Sequence, residues 1–371
     1  MKRKKVLMAC SNPWNSVFQV GSHHLAHQLL HMGYEVAFIS DPISPLHLAR
    51  GKELKKRLQL YAQPSSKQEP LWAYVPGALF TPHNAPLLRS RWLYKHWHQL
   101  TFPSLIKKAR AHGFQEVDIL YFDSPLQSFW LNTLSFRKSV FRVPDRNAGF
   151  QHIPPAFLQQ EQELIQKVDV VLSSAKTLSE EIPGSIHFPN GVNLGHFSKP
   201  RKEPEEYKTI PRPIAVYVGA MEYWFDAALL KQLASAFPAV SFVLIGPMKK
   251  NPFQAFSNIY ALGPKEYASI PGYLQHAQVG IIPFDVKGYA KLIDAVNPLK
   301  LYEYMASSLP VVATRWKELE YLNSPAYLAD SFEEFERALE KALAFPPQSV
   351  REYVEKQDWS FRAKELIELL R

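Results

Sequence analysis

Lys300 and Glu303 are the residues of this chain whose spacing points most directly to chemistry. They lie three apart in the run from Asn297 to Thr314, N-P-L-K-L-Y-E-Y-M-A-S-S-L-P-V-V-A-T. A helix would set both on one face of its first turns. Asn297-Pro298 reads as the helix start: a capping side chain, then a proline where a missing N–H costs nothing. A lysine in a helix's first turn suits an anionic phosphate, because unpaired N–H groups and the positive end of the dipole gather there. A glutamate one turn on suits the paired hydroxyls of a sugar. Leu301, Met305 and Leu309 supply an apolar face, Pro310 ends the helix, and Val311-Val312-Ala313 reads as a short buried strand. A capped helix with a solvated Lys-Glu pair has the same spacing, so spacing alone leaves both readings open.

Such a helix must be mounted on a sheet, and the chain supplies two alternating series of strands and helices. Lys5 to Cys10, a helix from Gly21 to Met32 closed by Gly33, and Glu35 to Ser40 form a βαβ opening. It lacks G-x-G-x-x-G, so nicotinamide binding is not expected. Val117 to Phe122, Val140 to Val143 and Asp169 to Ser173 continue as strands, with a helix from Gln159 to Val168. Residues 48 to 112 are the least regular part, and Leu48 to Leu58 is short and basic. Lys199 to Pro213, with four prolines, reads as a linker. A second series follows: Ile214 to Val218, a helix from about Phe225 to Phe237, Ser241 to Ile245, Ile259 to Leu262, a helix from Tyr267 to His276, and Val279 to Ile282. The helix after Asn297 completes it. The expected domains are residues 1–198, a linker at 199–213, and residues 214–355, with a last helix over 356–371 packing on the first domain. Ligands of such open α/β sheets bind beyond the carboxyl ends of the strands.

Composition bounds the alternatives. A chain of 371 residues with 46% apolar residues suits two soluble domains. No apolar run reaches the roughly 18–20 residues of a membrane span. Val6 to Cys10 is too short for a signal-peptide core, so a cytoplasmic protein is expected. The single cysteine, Cys10, excludes an internal disulfide, and the 13 histidines show no H-E-x-x-H spacing. A net charge of +9 suits nucleic acid, an anionic membrane or anionic substrates. No nucleic-acid-binding motif is present, so that partner is not expected. Leu87 to Arg110 interleaves Arg89, Arg91, Lys95, Lys107, Lys108 and Arg110 with Trp92, Tyr94, Trp97 and Phe102. That pattern suits an anionic membrane surface or a solvated helix face with a few core aromatics.

Two runs resemble GT-B glycosyltransferases. The stretch from Pro298 resembles their donor-nucleotide helix, P-x-K-x-x-E-x-x-A-x-G-x-P-V-V. H-F-P-N-G-V-N-L-G-H-F, from His187 to Phe197, resembles their N-G-V-D-x-x-x-F signature, with Asn193 in place of the aspartate. The usual glycine is absent, since Ser308-Leu309 precede Pro310. Retaining members carry a second glutamate eight positions before Glu303, and here that position is Ala295, with Asp294 beside it. F-R-V-P-D-R-N-A-G-F, followed by a Glu-bearing helix and D-V-V-L-S-S, resembles bacterial glucuronosyltransferases of xanthan type and teichuronic-acid glycosyltransferases. Arg146 stands where those relatives often show a second acid.

The resemblance implies an α/β GT-B fold, with two Rossmann-like doubly wound domains facing a cleft. It implies inverting transfer from a UDP-sugar, UDP-glucuronate being one candidate, to a lipid-linked or oligosaccharide acceptor in surface-polysaccharide synthesis. Lys300 would take the diphosphate and Glu303 the ribose, with Leu299 and Tyr302 beside them and Gly219 and Met221 in the turn after Val218. Asp145 would be the base, with Asp123 in reserve, and His23 and His24 would face the acceptor. His23 and His24 also suit plain helix positions, and Asp145 an N-cap. No metal or cofactor is expected. The place of action would be the inner face of the cell membrane. A retaining transferase, a UDP-sugar epimerase of the same architecture and a catalytically silent subunit are the competing readings.

Overall fold

The computed structural model describes residues 3–47, 51–63, 70–151, 153–344 and 350–371. Residues 48–50, the start of the short basic stretch, lie outside the described residues. The chain divides into two compact units, Met1–Phe188 with Arg362–Arg371, and Pro189–Phe361.

The first unit carries β1 (Lys5–Cys10), β2 (Glu35–Ser40), β3 (Leu71–Tyr74), β4 (Glu116–Phe122), β5 (Ser135–Val143), β6 (Val170–Ser173) and β7 (Ile186–His187). They form one parallel sheet in the order β3-β2-β1-β4-β5-β6-β7. The second unit carries β8 (Ile214–Val218), β9 (Ser241–Ile245), β10 (Ile259–Gly263), β11 (Val279–Ile282), β12 (Val311–Thr314) and β13 (Tyr327–Ala329). Its parallel sheet runs β10-β9-β8-β11-β12-β13. Val6 through Cys10 are all fully buried, as a strand covered by helices on both faces must be. In both sheets the strand order reverses between the first and fourth strands, at β1/β4 and at β8/β11. That crevice is where doubly wound folds bind ligands.

The structure departs from the sequence reading in particular places. β3 lies inside the stretch that reads as irregular. β5 starts at Ser135, earlier than expected, because its first half alternates exposed and half-buried positions. Leu87 to Arg110 is no single helical face. It holds a helix over Arg91–His96, a turn over Trp97–Leu100 and the start of a helix over Leu105–Ala111. Within it Trp97 is fully buried and Trp92 exposed.

The Asn190–Phe197 run falls in the second unit. The Val192 N–H donates to Gln357 O at 2.8 Å and the Trp359 N–H to Val192 O at 3.0 Å. A Cβ on Gly191 would stand 2.6 Å from Gln357 O, so the two strands can touch only because that residue is glycine. Asn193 caps the following short helix, accepting the His196 N–H at 3.0 Å, a role open to Asn as to Asp.

The Leu299–Ala306 helix starts one residue later than its sequence suggests, with Pro298 at the N-cap and no side-chain cap. Asn297 is instead a buried bridge. Its Oδ1 accepts the Asn190 N–H at 3.2 Å and the Tyr302 hydroxyl at 3.1 Å, and its Nδ2 donates to Glu318 at 3.2 Å. The helix ends in a Schellman motif: the Leu309 N–H reaches Tyr304 O at 3.0 Å and the Ser308 N–H reaches Met305 O at 2.9 Å. Ser308 sits at the left-handed position with φ 60°, where the family pattern has glycine. An L-residue there is strained by about 1 kcal/mol. Ser308→Gly is therefore expected to raise stability by about 0.5–1 kcal/mol and Ser308→Val to lower it, read from urea-denaturation midpoints. A destabilised glycine variant would show that this turn is not strained.

Candidate active site

In the second unit Lys300 hangs over the switch point. Its Nζ lies 4.9 Å from the ring centroid of Tyr217, in β8, and 4.7 Å from that of Phe284, just after β11. Gly219 follows β8 with φ 150°, and a Cβ there would stand 3.1 Å from Lys300 Cε and Nζ. Glycine thus lets the lysine stem lie against the turn. Gly246 crosses the same turn so closely that its Cβ would come 2.0 Å from Gly219 O. The helix is fixed by Tyr304, four residues after Lys300 and on the same face. The Tyr304 hydroxyl accepts the Val218 N–H at 2.7 Å. Gly280 in β11 makes room for its ring, since a Cβ would fall 2.3 Å from Tyr304 Cδ2.

Burial draws the Lys300 ammonium down to about 8, with Glu303 opposing, and pushes the Glu303 carboxyl up to about 7, with Lys300 opposing. Among the described residues the ammonium rests on two aromatic faces and reaches no oxygen, and the carboxylate accepts no hydrogen bond. A cation and an anion so placed are free to take a phosphate and a pair of hydroxyls. The turn contributes less than expected. The Gly219 N–H is spent on Ile245 O at 2.9 Å and the Met221 N–H on Pro247 O at 3.0 Å. Leu299 is half-buried on the same helix. Tyr302 does not join the group: it is fully buried, bonded to Asn297 and stacked on Tyr353 at 6.4 Å.

In the first unit Asp145 follows β5 and is half-buried. Burial raises its carboxyl to about 7, against the pull of Arg142. Arg142, the next-to-last residue of β5, is only 2% exposed. Asp123 follows β4 at the switch point. It is buried and accepts the Ser11 N–H at 2.8 Å, clamping the loop after β1. His23 is fully buried, with Nε2 on Pro13 O at 2.9 Å and Nδ1 accepting the Val20 N–H at 3.2 Å. Burial pulls it down to about 4, so it stays neutral. These contacts make His23 a helix cap, not a group offered to an acceptor. His24 is 5% exposed. Among the described residues no cluster of three or more His, Cys, Asp or Glu could hold a metal ion.

Sequence reading missed Asp41, which follows β2 as Asp123 follows β4. Its Oδ1 accepts the Ser124 hydroxyl at 2.7 Å and Gln127 Nε2 at 3.2 Å, and burial raises it to about 7. The signal was present: I-S-D-P, Y-F-D-S-P and V-P-D-R each put an aspartate just past a strand.

Residues 8–174 match the family described as glucuronosyltransferase GumK, N-terminal domain, and residues 212–344 match glycosyl transferases group 1. A Bacillus subtilis protein named as a teichuronic acid biosynthesis glycosyltransferase is 26% identical over 181 residues, 44% of this chain and 45% of that protein. The UDP-glucuronate:glycolipid 2-beta-glucuronosyltransferase of Xanthomonas campestris is 25% identical over 258 residues, 66% of this chain and 60% of that protein. The chain thus spans about half the length of the curated relatives it matches. The sucrose-phosphate synthase structure from Thermosynechococcus elongatus superposes with a TM-score of 0.73 at 14% identity, over 99% of this chain and 98% of that one; this likeness is one of fold. One glycosyltransferase family is thus matched on each parallel sheet, each over less than half of the chain, and the chain has the GT-B fold.

Proposed function

We propose that the chain transfers a sugar from a UDP-sugar to a saccharide or glycolipid acceptor in bacterial surface-polysaccharide assembly, with inversion. The observation that carries this reading is the Lys300 ammonium, which among the described residues rests on two aromatic faces and reaches no oxygen, over the switch point of the sheet that matches the group 1 transferases. In the reaction the acceptor oxygen attacks the anomeric carbon and its proton passes to the Asp145 carboxylate. The bond from that carbon to the diphosphate breaks, and its electron pair leaves on UDP, where Lys300 meets the developing charge. No metal is invoked. UDP-glucuronate is the favoured donor because the Xanthomonas relative is named for it.

Inversion has support in the second unit. The second glutamate of retaining members is replaced by Ala295, which is fully buried. The neighbouring Asp294 is turned to the start of the Lys317–Tyr321 helix, accepting the Lys317 N–H at 3.3 Å. Peripheral attachment at the cytoplasmic face of the membrane also belongs to the proposal, through exposed apolar side chains rather than through Arg91 and Lys95. Arg91 and Lys95 are committed to Glu163 at 2.9 and 2.8 Å, tying their helix to the Pro155–Ile165 helix. The exposed apolar side chains Leu79, Phe80, Leu87 and Phe102 are the ones a lipid surface would take up.

UDP affinity should follow a bell in pH. Lys300 must be charged, so affinity falls as pH rises through about 8; Glu303 must be ionised, so affinity falls as pH drops through about 7. Titration calorimetry with UDP and uridine tests this. Lys300→Ala should remove the alkaline flank and weaken UDP far more than uridine, and Glu303→Gln should remove the acid flank. Equal losses for UDP and uridine would remove the phosphate role of Lys300.

Asp145→Asn is expected to keep UDP binding while turnover drops by about 10²–10⁴-fold. In the unaltered protein kcat should rise with pH through about 7, as Asp145 ionises. Proton NMR of the product should show the anomer opposite to the donor's. An α-linked product from an α-linked UDP-sugar would overturn inversion whatever Asp145 does.

A further inference from the structure

A cavity of about 370 Å³ lies in the first unit among Lys95, Gln99, Ser128, Asn132, Glu163 and Lys167. Asn132 leads into β5, which starts at Ser135, and Glu163 and Lys167 lead into β6, which starts at Val170. The cavity therefore lies towards the amino ends of these strands. Asp123 and Asp145 follow the carboxyl ends of β4 and β5, so this is a separate place from the candidate active site.

Its walls are tied to one another. Trp97 is fully buried, and its Nε1 donates to Leu126 O at 2.8 Å, pinning the turn over Trp97–Leu100 to the turn over Pro125–Asn132. His98 from the first turn lies flat on Phe129 from the second, at 4.1 Å and 13°. Gln160 Nε2 donates to Ser128 Oγ at 2.8 Å, fixing the Pro155–Ile165 helix to the same turn. Lys95 and Glu163 close the remaining side at 2.8 Å. Walls joined pairwise in this way make a preformed site, and the volume is in the range of ligand pockets.

Charge does not balance there. Among the described residues Glu163 is the one acid on the walls. Three cations gather on it: Arg91 at 2.9 Å, Lys95 at 2.8 Å and Lys167 at 3.9 Å. One negative charge offsets one of the three. Lys95 and Lys167 are the two that line the cavity. An ammonium has three N–H donors, and Lys167 stands beyond hydrogen-bond range of the carboxylate, so both lysines keep donors for another acceptor. His98 adds no charge, since burial pulls its imidazole down to about 4.

The other walls carry the hydroxyl of Ser128, the amides of Gln99 and Asn132, and the apolar side chain of Leu131. Cations recognise an anion, amides and hydroxyls recognise hydroxyl groups, and an apolar patch takes C–H groups. A phosphate ion would use the first and leave the others, with most of the volume, idle. A neutral sugar would leave the charge unanswered. We infer that this cavity is a second carbohydrate site, for a sugar bearing one acidic group, carboxylate or phosphate, with the acid on Lys95 and Lys167 and the hydroxyls on Gln99 and Asn132. Away from the reacting edge, such a site holds an acidic saccharide without transforming it. The inference goes beyond the transferase reading and needs neither UDP nor Asp145.

Titration calorimetry with the full chain, in low salt and without UDP, tests this with D-glucuronate, D-glucose 6-phosphate, D-glucose and inorganic phosphate. An acidic sugar should bind more tightly than both glucose and phosphate, and the tighter of the two acidic sugars tells carboxylate from phosphate. Added salt should weaken it. Lys167→Gln, at an exposed position, should weaken it about three- to fivefold and keep UDP affinity as a check on folding. Lys300→Ala should leave it unchanged. Glucose that binds as tightly as either acidic sugar would overturn the inference, as would failure of both acidic sugars to bind. Phosphate that binds equally well would show an adventitious ion only. Binding that survives Lys167→Gln intact, or that disappears in Lys300→Ala, would place the sugar elsewhere and also overturn it. All of these results leave UDP affinity, and with it the transferase reading, as they were.

Discussion

The Tyr304 hydroxyl accepts the N–H of Val218, the last residue of β8, and the second unit's site is arranged around that bond. β11 pairs with β8 only as far as Val216, so the end of β8 on that side has no strand to satisfy it. A buried N–H left unpaired costs about 1–3 kcal/mol. The hydroxyl supplies the missing acceptor from a helix that arrives 86 residues later. Lys300 is one turn back on the same face, so the bond that finishes the strand also sets the ammonium over Tyr217 and Phe284. Gly280, whose Cβ would collide with the Tyr304 ring, is the other half of the constraint.

The two sheets share a strand order but end in different chemistry. In the second unit three strands end in glycines with positive φ: Gly219 at 150°, Gly246 at 143° and Gly263 at 69°. Bare backbone can approach a ligand closely there, and a single lysine supplies the charge. In the first unit the strands end in Ser11, Asp41, Asp123 and Asp145, three carboxyls raised above their usual range by burial. Glycine turns with a cation suit a diphosphate. Carboxyls with raised affinity for protons suit hydroxyl groups and the proton one of them must lose. One architecture, used twice, thus ends in a cation among glycine turns in one unit and in carboxyls in the other.

The strands that were legible in the sequence are those buried on both faces, such as β1 and β9, whose apolar runs are unbroken. β3 was hidden because four residues, Leu71 to Tyr74, are too few to show a period. The first half of β5 was hidden because its alternating exposure imitates a loop. Asn297 looked like a cap because Asn before Pro usually is one. Its partners Asn190 and Glu318 lie far off in the chain, and only the folded unit shows that it is a buried bridge. Ser308 is the reverse case. The missing glycine suggested a departure from the pattern, yet the backbone keeps its left-handed turn because two hydrogen bonds and the packing of Leu309 impose it. His23 shows the same limit, since its ring nitrogens are consumed by Pro13 and Val20, contacts that no spacing rule could reveal.

The shifts at Lys300 and Glu303 also say what the fold gives up to hold them. A lysine lowered from 10.5 to about 8 binds its proton more weakly folded than unfolded, so stability rises with pH between those values. A glutamate raised from 4.5 to about 7 holds its proton more tightly folded, so stability falls as pH rises from 4.5 to 7. Both contributions are therefore at their least favourable between about 7 and 8, where both groups are charged. A bound diphosphate would complete the lysine and ribose hydroxyls would complete the glutamate, and any ligand that binds only the folded state stabilises it. The lysine penalty is full below about 8 and the glutamate penalty full above about 7, so the two coincide only in the pH range in which both groups are charged, and a ligand that pairs them would relieve both.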